Sequence, residues 1–136
     1  LLGRCSDEWF ATRWQTRSGE WAEKLNSMPK YVASTTLNRP MWSNSTLIRG
    51  DVADEVATLK QQINGEILVY ASYQLVQTLL EHDLVDELRL VVFPVLLGAG
   101  KRLFGETGSS TPLRLIHLNT IGDGLTHLTY RVVEAQ

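Results

Sequence analysis

The residues best placed to do chemistry are Ala71-Ser72-Tyr73, a turn between two apolar stretches. Ile67-Leu68-Val69-Tyr70 is β-branched and aromatic, is bounded upstream by Asn64-Gly65, and reads as a short buried strand. Leu75, Val76, Leu79 and Leu80 share one stripe at helical spacing, and Ser72 suits the N-cap of that helix. A turn from strand into helix is where α/β proteins bind phosphates, because the N–H groups of the first helical turn point at the anion. A serine there has two uses, donating to a phosphate or capping the helix. Tyr73 is either an aromatic platform in a pocket or a ring packed on the surface.

Elsewhere the chemistry is sparser. Gly98-Ala99-Gly100 is followed by Lys101 and Arg102, which either line a ligand cleft or are simply solvated. His82, His117 and His127 lack metal-ligand spacing, so no metal site is expected. Cys5 has Arg4 beside it, a neighbour that favours thiolate, but an ordinary thiol is the simpler reading. No Ser/His/Asp grouping or carboxylate pair is legible from spacing, so no residue is assigned a catalytic role.

Composition narrows the function classes. A chain of 136 residues is enough for one domain that buries about two thirds of its unfolded surface. Apolar residues at 43% and charged residues at 21% suit a globular protein. A net charge of −2 gives nucleic acid or an anionic membrane nothing to bind, and neither is expected as a partner. The apolar runs are too short to span a bilayer. The single cysteine excludes an internal disulfide and suits a reducing cytoplasm.

The elements that position the turn follow in order. Leu1-Leu2-Gly3-Arg4 reads as the end of a strand whose start lies ahead of this sequence. Ser6 is the expected N-cap of a helix carrying Trp9, Phe10 and Trp14, and Trp9, Trp14 and Trp21 are expected to cover one edge of the core. Ala22 to Asn26 makes another helical turn, which Met28-Pro29 ends. Tyr31 to Ser34 and Thr46 to Ile48 are strands. Asp51 caps a helix whose apolar face is Val52, Val56, Leu59 and Ile63. After the central turn and its helix, Leu88 to Phe93 is a further strand, so strand, helix and strand form a βαβ unit of a parallel sheet. Gly105 to Pro112 is a loop, and Leu113 to Leu118 and Leu125 to Val133 alternate around Gly122-Asp123-Gly124 as an antiparallel hairpin. The class is α/β, with a mostly parallel sheet and an antiparallel C-terminal hairpin.

Several blocks resemble one family. They are Leu1 to Arg4, Met28-Pro29-Lys30-Tyr31-Val32 with Ser34, Gln74 to Leu88, and Pro94-Val95-Leu96-Leu97-Gly98-Ala99-Gly100-Lys101-Arg102-Leu103-Phe104. Together they are similar to the dihydrofolate-reductase-like family that includes the C-terminal reductase domain of bacterial riboflavin biosynthesis. The resemblance implies a three-layer dihydrofolate-reductase-like fold over residues 1–136 as a single domain lacking the family's opening strand and helix. It also implies NADPH as cofactor, a heterocyclic or ribosylamino-pyrimidine substrate reduced by hydride transfer, and a homodimer. The positions it marks for the cofactor are Gly3, Arg4, Ser34, Thr35, Ala71, Ser72, Tyr73 and Gln74.

Departures from the family pattern sit at those positions. The family's phosphate turn is usually Gly-Ser-Gly or Gly-Gly, where this chain has Ala71-Ser72-Tyr73. Glycines there permit positive φ and close approach of a phosphate, so Ala71 and Tyr73 are expected to weaken or abolish NADPH binding. The family often has Gly-Arg-Arg-Thr where this chain has Gly3-Arg4-Cys5-Ser6, and Arg where it has Thr35. Two function readings therefore stand, an NADPH-dependent reductase and a catalytically inactive or engineered binding or scaffold protein on the same fold. The gap left beside the central strands is expected to be covered by a second copy or a rearranged segment.

Overall fold

The computed structural model describes residues 1–105 and 110–133. The chain divides into two compact units, Leu1–His82 and a second that begins at Asp83. The first contains a parallel sheet of three short strands in the order β1 (Leu2–Gly3), β2 (Lys30–Ala33), β3 (Ser45–Ile48). Leu2 registers with Val32, and Val32 with Leu47, which makes Val32 central and wholly buried.

Helices α1 (Arg4–Trp14) and α2 (Glu20–Ser27) lie between β1 and β2 in sequence. Asp7 and Ala11 are the buried pair of α1, Ala22 and Leu25 that of α2, at spacings that put each pair on one face. With Leu2 and Trp42, Ala11 and Leu25 form a core against which Phe10, Trp14 and Met28 pack. Met28 is extended at φ −60° and ψ 136°, as a following proline requires, and α2 stops there. Helix α3 (Val52–Gln62) starts at Asp51, whose carboxylate accepts from the N–H groups of Ala53 (2.9 Å) and Asp54 (3.1 Å). Helix α4 (Tyr73–Glu81) buries Leu75 and Leu79.

A polar network runs through this core. The carboxylate of Asp7, fully buried, accepts the N–H groups of Met41 (2.7 Å) and Trp42 (3.2 Å). Trp42 Nε1 donates to Asn26 Oδ1 (2.7 Å), and Asn26 Nδ2 donates to the Trp14 carbonyl (2.9 Å). Buried Lys30 donates from Nζ to the carbonyls of Asn26 (3.1 Å), Met28 (2.8 Å) and Ser43 (3.1 Å), 4.5 Å from the Trp42 ring. Burial lowers the Lys30 pKa below its ordinary value, and the Asp7 carboxylate opposes that shift. Partners for each of these groups offset the cost of taking them out of water.

Three expectations for this unit need correction. Helix α1 begins at Arg4, so Ser6 lies inside its first turn and Gly3 takes the N-cap place. The cause is that β1 runs into α1 without a loop. Trp9 and Trp21 do not cover the core; they are 51% and 57% exposed, with Arg13 and Lys24 set over their rings, and Trp42 is the buried indole. Ile67 to Tyr70 joins no strand ladder. Its exposure alternates as a strand's would, but its described backbone link is the Leu1 nitrogen donating to the Leu68 carbonyl (2.7 Å). An apolar β-branched run becomes a strand only where a neighbour presents a row of backbone groups, and β1 is two residues long.

The second unit is an antiparallel sheet in the order β4 (Glu87–Val92), β6 (Leu125–Val132), β5 (Leu113–Ile121). The expected C-terminal hairpin is β5–β6, closed by Gly122-Asp123-Gly124 with φ of +52° and +105° at its two glycines. β4 is a strand as expected, but it pairs antiparallel with β6 from Glu87↔Arg131 to Val92↔Thr126 rather than in a parallel sheet. The pairing gives the sheet two unlike faces. Leu88, Tyr130 and Leu115 align across it, as do Leu90, Leu128 and Leu118. On the other side stand Glu87, Arg131 and Arg114, then Arg89, Thr129 and His117, then Val91, His127 and Asn119. An irregularity between Leu115 and His117 inserts Ile116 and keeps Arg114 and His117 on the same side. Alternation of this kind suits an antiparallel sheet with one polar face, which Arg89 signals in an otherwise apolar run. Of the expected loop from Gly105 to Pro112, residues 106–109 lie outside the described residues. No helix among the described residues is long and apolar enough to cross a membrane.

Candidate functional site

In the first unit the carboxyl ends of β1 and β2 meet the turn ahead of α4. Gly3 ends β1 and its N–H donates to Ser72 Oγ (3.0 Å). Ser72 Oγ lies 2.8 Å from Ser6 Oγ and 3.1 Å from the Tyr70 carbonyl oxygen. One hydroxyl proton serves one of those two oxygens at a time. Arg4, the first residue of α1, donates to Thr36 Oγ1 (3.3 Å) and sits 3.9 Å from the Glu8 carboxylate on an exposed face. Beyond β2, Ser34 Oγ accepts the N–H groups of Thr36 (3.2 Å) and Leu37 (3.1 Å) and lies 3.4 Å from Thr36 Oγ1.

The turn itself is unusual in its backbone. Ala71 and Ser72 both adopt the left-handed region, at φ +51° and +54°. That conformation costs an L-residue roughly 1–2 kcal/mol. Ser72 occupies the N-cap place of α4, but its side chain makes no capping bond. Its hydroxyl turns to α1 instead, which corrects the expectation of a serine cap. Gly3, at the N-cap of α1, has no side chain to cap with. The first N–H groups of a helix have no intrahelical acceptor and carry the positive end of its dipole. Two helix N-termini without side-chain caps, an exposed guanidinium and four hydroxyls thus surround one end of the parallel sheet. This arrangement can bind an anion.

Of the positions marked for the cofactor, the structure brings Gly3 and Ser72 into contact, and Arg4 next to the Ser34–Thr36 turn. Thr35 is exposed on that turn, Ala71 and Gln74 are exposed beside Ser72, and Tyr73 is half-buried as the first residue of α4. Sequence reading missed Ser6 and Thr36. The signal for Ser6 was its place three residues after Gly3, one helical turn on, which puts its hydroxyl at the helix mouth. Lys101 and Arg102 are exposed and belong to the second unit.

The histidines are distributed over both units. Pairing of β5 with β6 sets His117 and His127 with ring centroids 6.1 Å apart, and His127 Nδ1 lies 3.0 Å from Asn119 Oδ1. His82 Nδ1 lies 2.9 Å from the Thr78 carbonyl oxygen at the end of α4. Among the described residues no cluster of three or more His, Cys, Asp or Glu is arranged to hold a metal ion.

Comparison with known proteins bears on the family and the fold. The family model of the RibD C-terminal domain matches residues 1–127. YyaP, an uncharacterized protein of Bacillus subtilis strain 168, is 32% identical over 106 residues, covering 78% of this chain and 56% of YyaP. YwjB, an uncharacterized protein of the same organism, is 39% identical over 59 residues, covering 43% of this chain and 34% of YwjB. The chain thus spans about half of the one relative and a third of the other. A solved structure of a protein assigned to riboflavin biosynthesis from Shewanella sp. PV-4 superposes with a TM-score of 0.80 at 27% identity, covering 98% of this chain and 72% of that one. A pyrimidine reductase-like protein of Corynebacterium diphtheriae shares the fold, with a TM-score of 0.68 at 13% identity over 98% of this chain and 75% of that one.

Proposed function

The chain belongs to the RibD C-terminal domain family, and from that premise we propose that it is an NADPH-dependent reductase domain acting on a heterocyclic or ribosylamino-pyrimidine substrate. One observation carries the reading: Gly3, Arg4, Ser34 and Ser72 lie together where β1 and β2 end and α1 and α4 begin. Ligands of open α/β sheets bind at the carboxyl ends of parallel strands. NADPH, when bound, supplies the hydride. The residues of this chain hold the phosphates: Arg4 by charge, the first turns of α1 and α4 by their N–H groups, and Ser34 and Thr36 by their hydroxyls. Ala71 and Ser72 already follow the left-handed path that glycines in this turn would take, so the backbone route is retained although the glycines are not.

Titration with NADPH, read by tryptophan fluorescence and by calorimetry, tests this. Saturable binding that Arg4→Ala weakens by roughly ten-fold is expected, since a hydrogen bond to a charged group contributes about 1.5–3 kcal/mol. No binding by the wild-type protein would sink the reading. Binding without NADPH oxidation across candidate pyrimidines would mark a binding protein instead, the reading favoured by the Ser72 hydroxyl already sitting on the Gly3 N–H.

We also propose that two copies pair through the apolar face of the β4–β6–β5 sheet, where Leu115 and Leu118 on the edge strand β5 are both about half exposed. Sedimentation that stays monomeric at all concentrations would overturn this pairing. A cytoplasmic setting accords with the exposed free thiol of Cys5.

A further inference from the structure

We propose that Ser72 is a built-in occupant of the anion site: its hydroxyl holds the Gly3 N–H that a phosphate oxygen of the ligand takes, and so sets how tightly the site accepts phosphate. The proposal rests on reading this site as a phosphate cradle and adds how access to it is controlled. The Gly3 N–H meets Ser72 Oγ at 3.0 Å, an ordinary donor–acceptor distance for a phosphate oxygen as well. The same Oγ is 2.8 Å from Ser6 Oγ in the first turn of α1. A neutral oxygen thus stands at the mouth of α1, where an anion would be favoured.

The placement follows from the turn. Left-handed backbone at Ala71 and Ser72 swings the serine away from the N–H groups of its own helix, α4, where a serine at this place normally bonds. A Cβ built at Gly3 would lie 3.6 Å from Ser72 Oγ and 3.8 Å from Ser72 Cβ, ordinary contact distances, so the serine stands against the bare side of the glycine. An entering phosphate has to displace Oγ from Gly3. A rotation of the Ser72 side chain about its Cα–Cβ bond frees the Gly3 N–H without moving either helix.

The test compares the wild-type chain with Ser72→Ala and Ser72→Gly, using pyrophosphate and NADPH as probes in calorimetry. Alanine removes the oxygen and keeps the β-carbon; glycine also relieves the left-handed residue, so a folding defect in one variant does not confound the other. Both variants are expected to bind pyrophosphate on the order of ten-fold more tightly, the worth of one freed hydrogen bond to a charged group. The Gly3 amide resonance should shift on adding pyrophosphate to Ser72→Ala, a response that a merely structural serine would not produce. If the wild type binds and both folded variants bind equally or more weakly, the occupant role is wrong while the reductase reading stands. If wild type and variants all fail to bind either probe, the cradle reading fails and this proposal with it.

Discussion

Residues 1–82 enclose Leu2, Ala11, Leu25, Val32 and Trp42 between a parallel sheet and helices, whereas the sheet of the second unit keeps Leu113, Leu115 and Leu118 substantially exposed. The difference is one of layers. A parallel sheet needs crossovers, and the crossovers bring helices that cover it. An antiparallel sheet closes with a two-ended hairpin and brings no cover of its own. The first unit therefore spends its polar residues inside, on Asp7, Asn26 and Lys30, to join helices to strands. In the second, Thr129 is buried but the charged residues stay outside, where Glu87 accepts from Arg89 (3.3 Å) and lies 3.5 Å from Arg131. Leucines left this exposed on a sheet are what the pairing of copies proposed above would cover.

The sharpest break in that comparison comes from polar truncation. Asp7→Ala leaves the N–H groups of Met41 and Trp42 buried without an acceptor, and should cost roughly 3 kcal/mol. His127→Ala, on the polar face of the second unit, should stay within about 0.5 kcal/mol. Urea unfolding of both variants checks this. Equal losses would show that the second unit's polar face is as buried as the first unit's core.

Apolar truncation sharpens the same contrast. Val32→Ala, at the wholly buried centre of the parallel sheet, should lose about 2 kcal/mol. Leu118→Ala, 56% exposed, should lose less than about 1 kcal/mol in dilute solution. If copies pair through this face, the Leu118→Ala loss grows with protein concentration, because burial then occurs on association. Midpoints measured over a hundred-fold concentration range separate the two cases.

Much of this contrast was legible in the sequence. The Asp51 cap, the stop at Met28-Pro29, the Leu75 and Leu79 stripe and the Gly122-Asp123-Gly124 hairpin are local features, decided by residues close in sequence. What failed was partner choice. Ile67 to Tyr70 has strand composition but finds almost no ladder, and Leu88 to Phe93 was assigned to the wrong kind of sheet. Pairing depends on which backbone edge arrives beside a run, and an apolar run of four residues carries no information on that. The site divided along the same line. The Ala71-Ser72-Tyr73 turn was read from its place between a strand pattern and a helix pattern, and Gly3, Arg4 and Ser34 were named through family resemblance, while Ser6 and Thr36 join them by long-range contact. The direction of the Ser72 side chain was set by two left-handed residues that no local rule announced.

A smaller effect is expected at that turn. Ala71→Gly should stabilise the first unit by about 1 kcal/mol, since glycine takes φ near +51° without the clash of a β-carbon. Tyr73→Gly should destabilise it by a similar amount, because Tyr73 is helical and glycine is a poor helix residue. Thermal unfolding reads both signs. The double variant should come out near neutral, so any gain in NADPH binding it shows belongs to the site and not to stability.

The last expectation concerns Lys30 and pH. Burial lowers its pKa below the ordinary 10.5, with the Asp7 carboxylate acting the other way. Below the folded-state value both folded and unfolded chains hold the proton, and the cost of the buried charge is present in full. Between that value and 10.5 the unfolded chain binds a proton that the folded chain has released, so stability rises with pH in this interval. Above 10.5 both are neutral and the gain is complete. Lys30→Met has no proton to release and keeps a similar stem, so the alkaline rise should vanish from its stability curve while the titrations of exposed tyrosines and lysines remain. Urea midpoints at half-unit steps between pH 7 and pH 10.5, wild type minus variant, give the difference directly. A difference that falls instead of rising would show that the three carbonyl acceptors and the Trp42 ring hold the ammonium more strongly than burial opposes it, and Lys30 would then be a charged tie in the core and not a strained one.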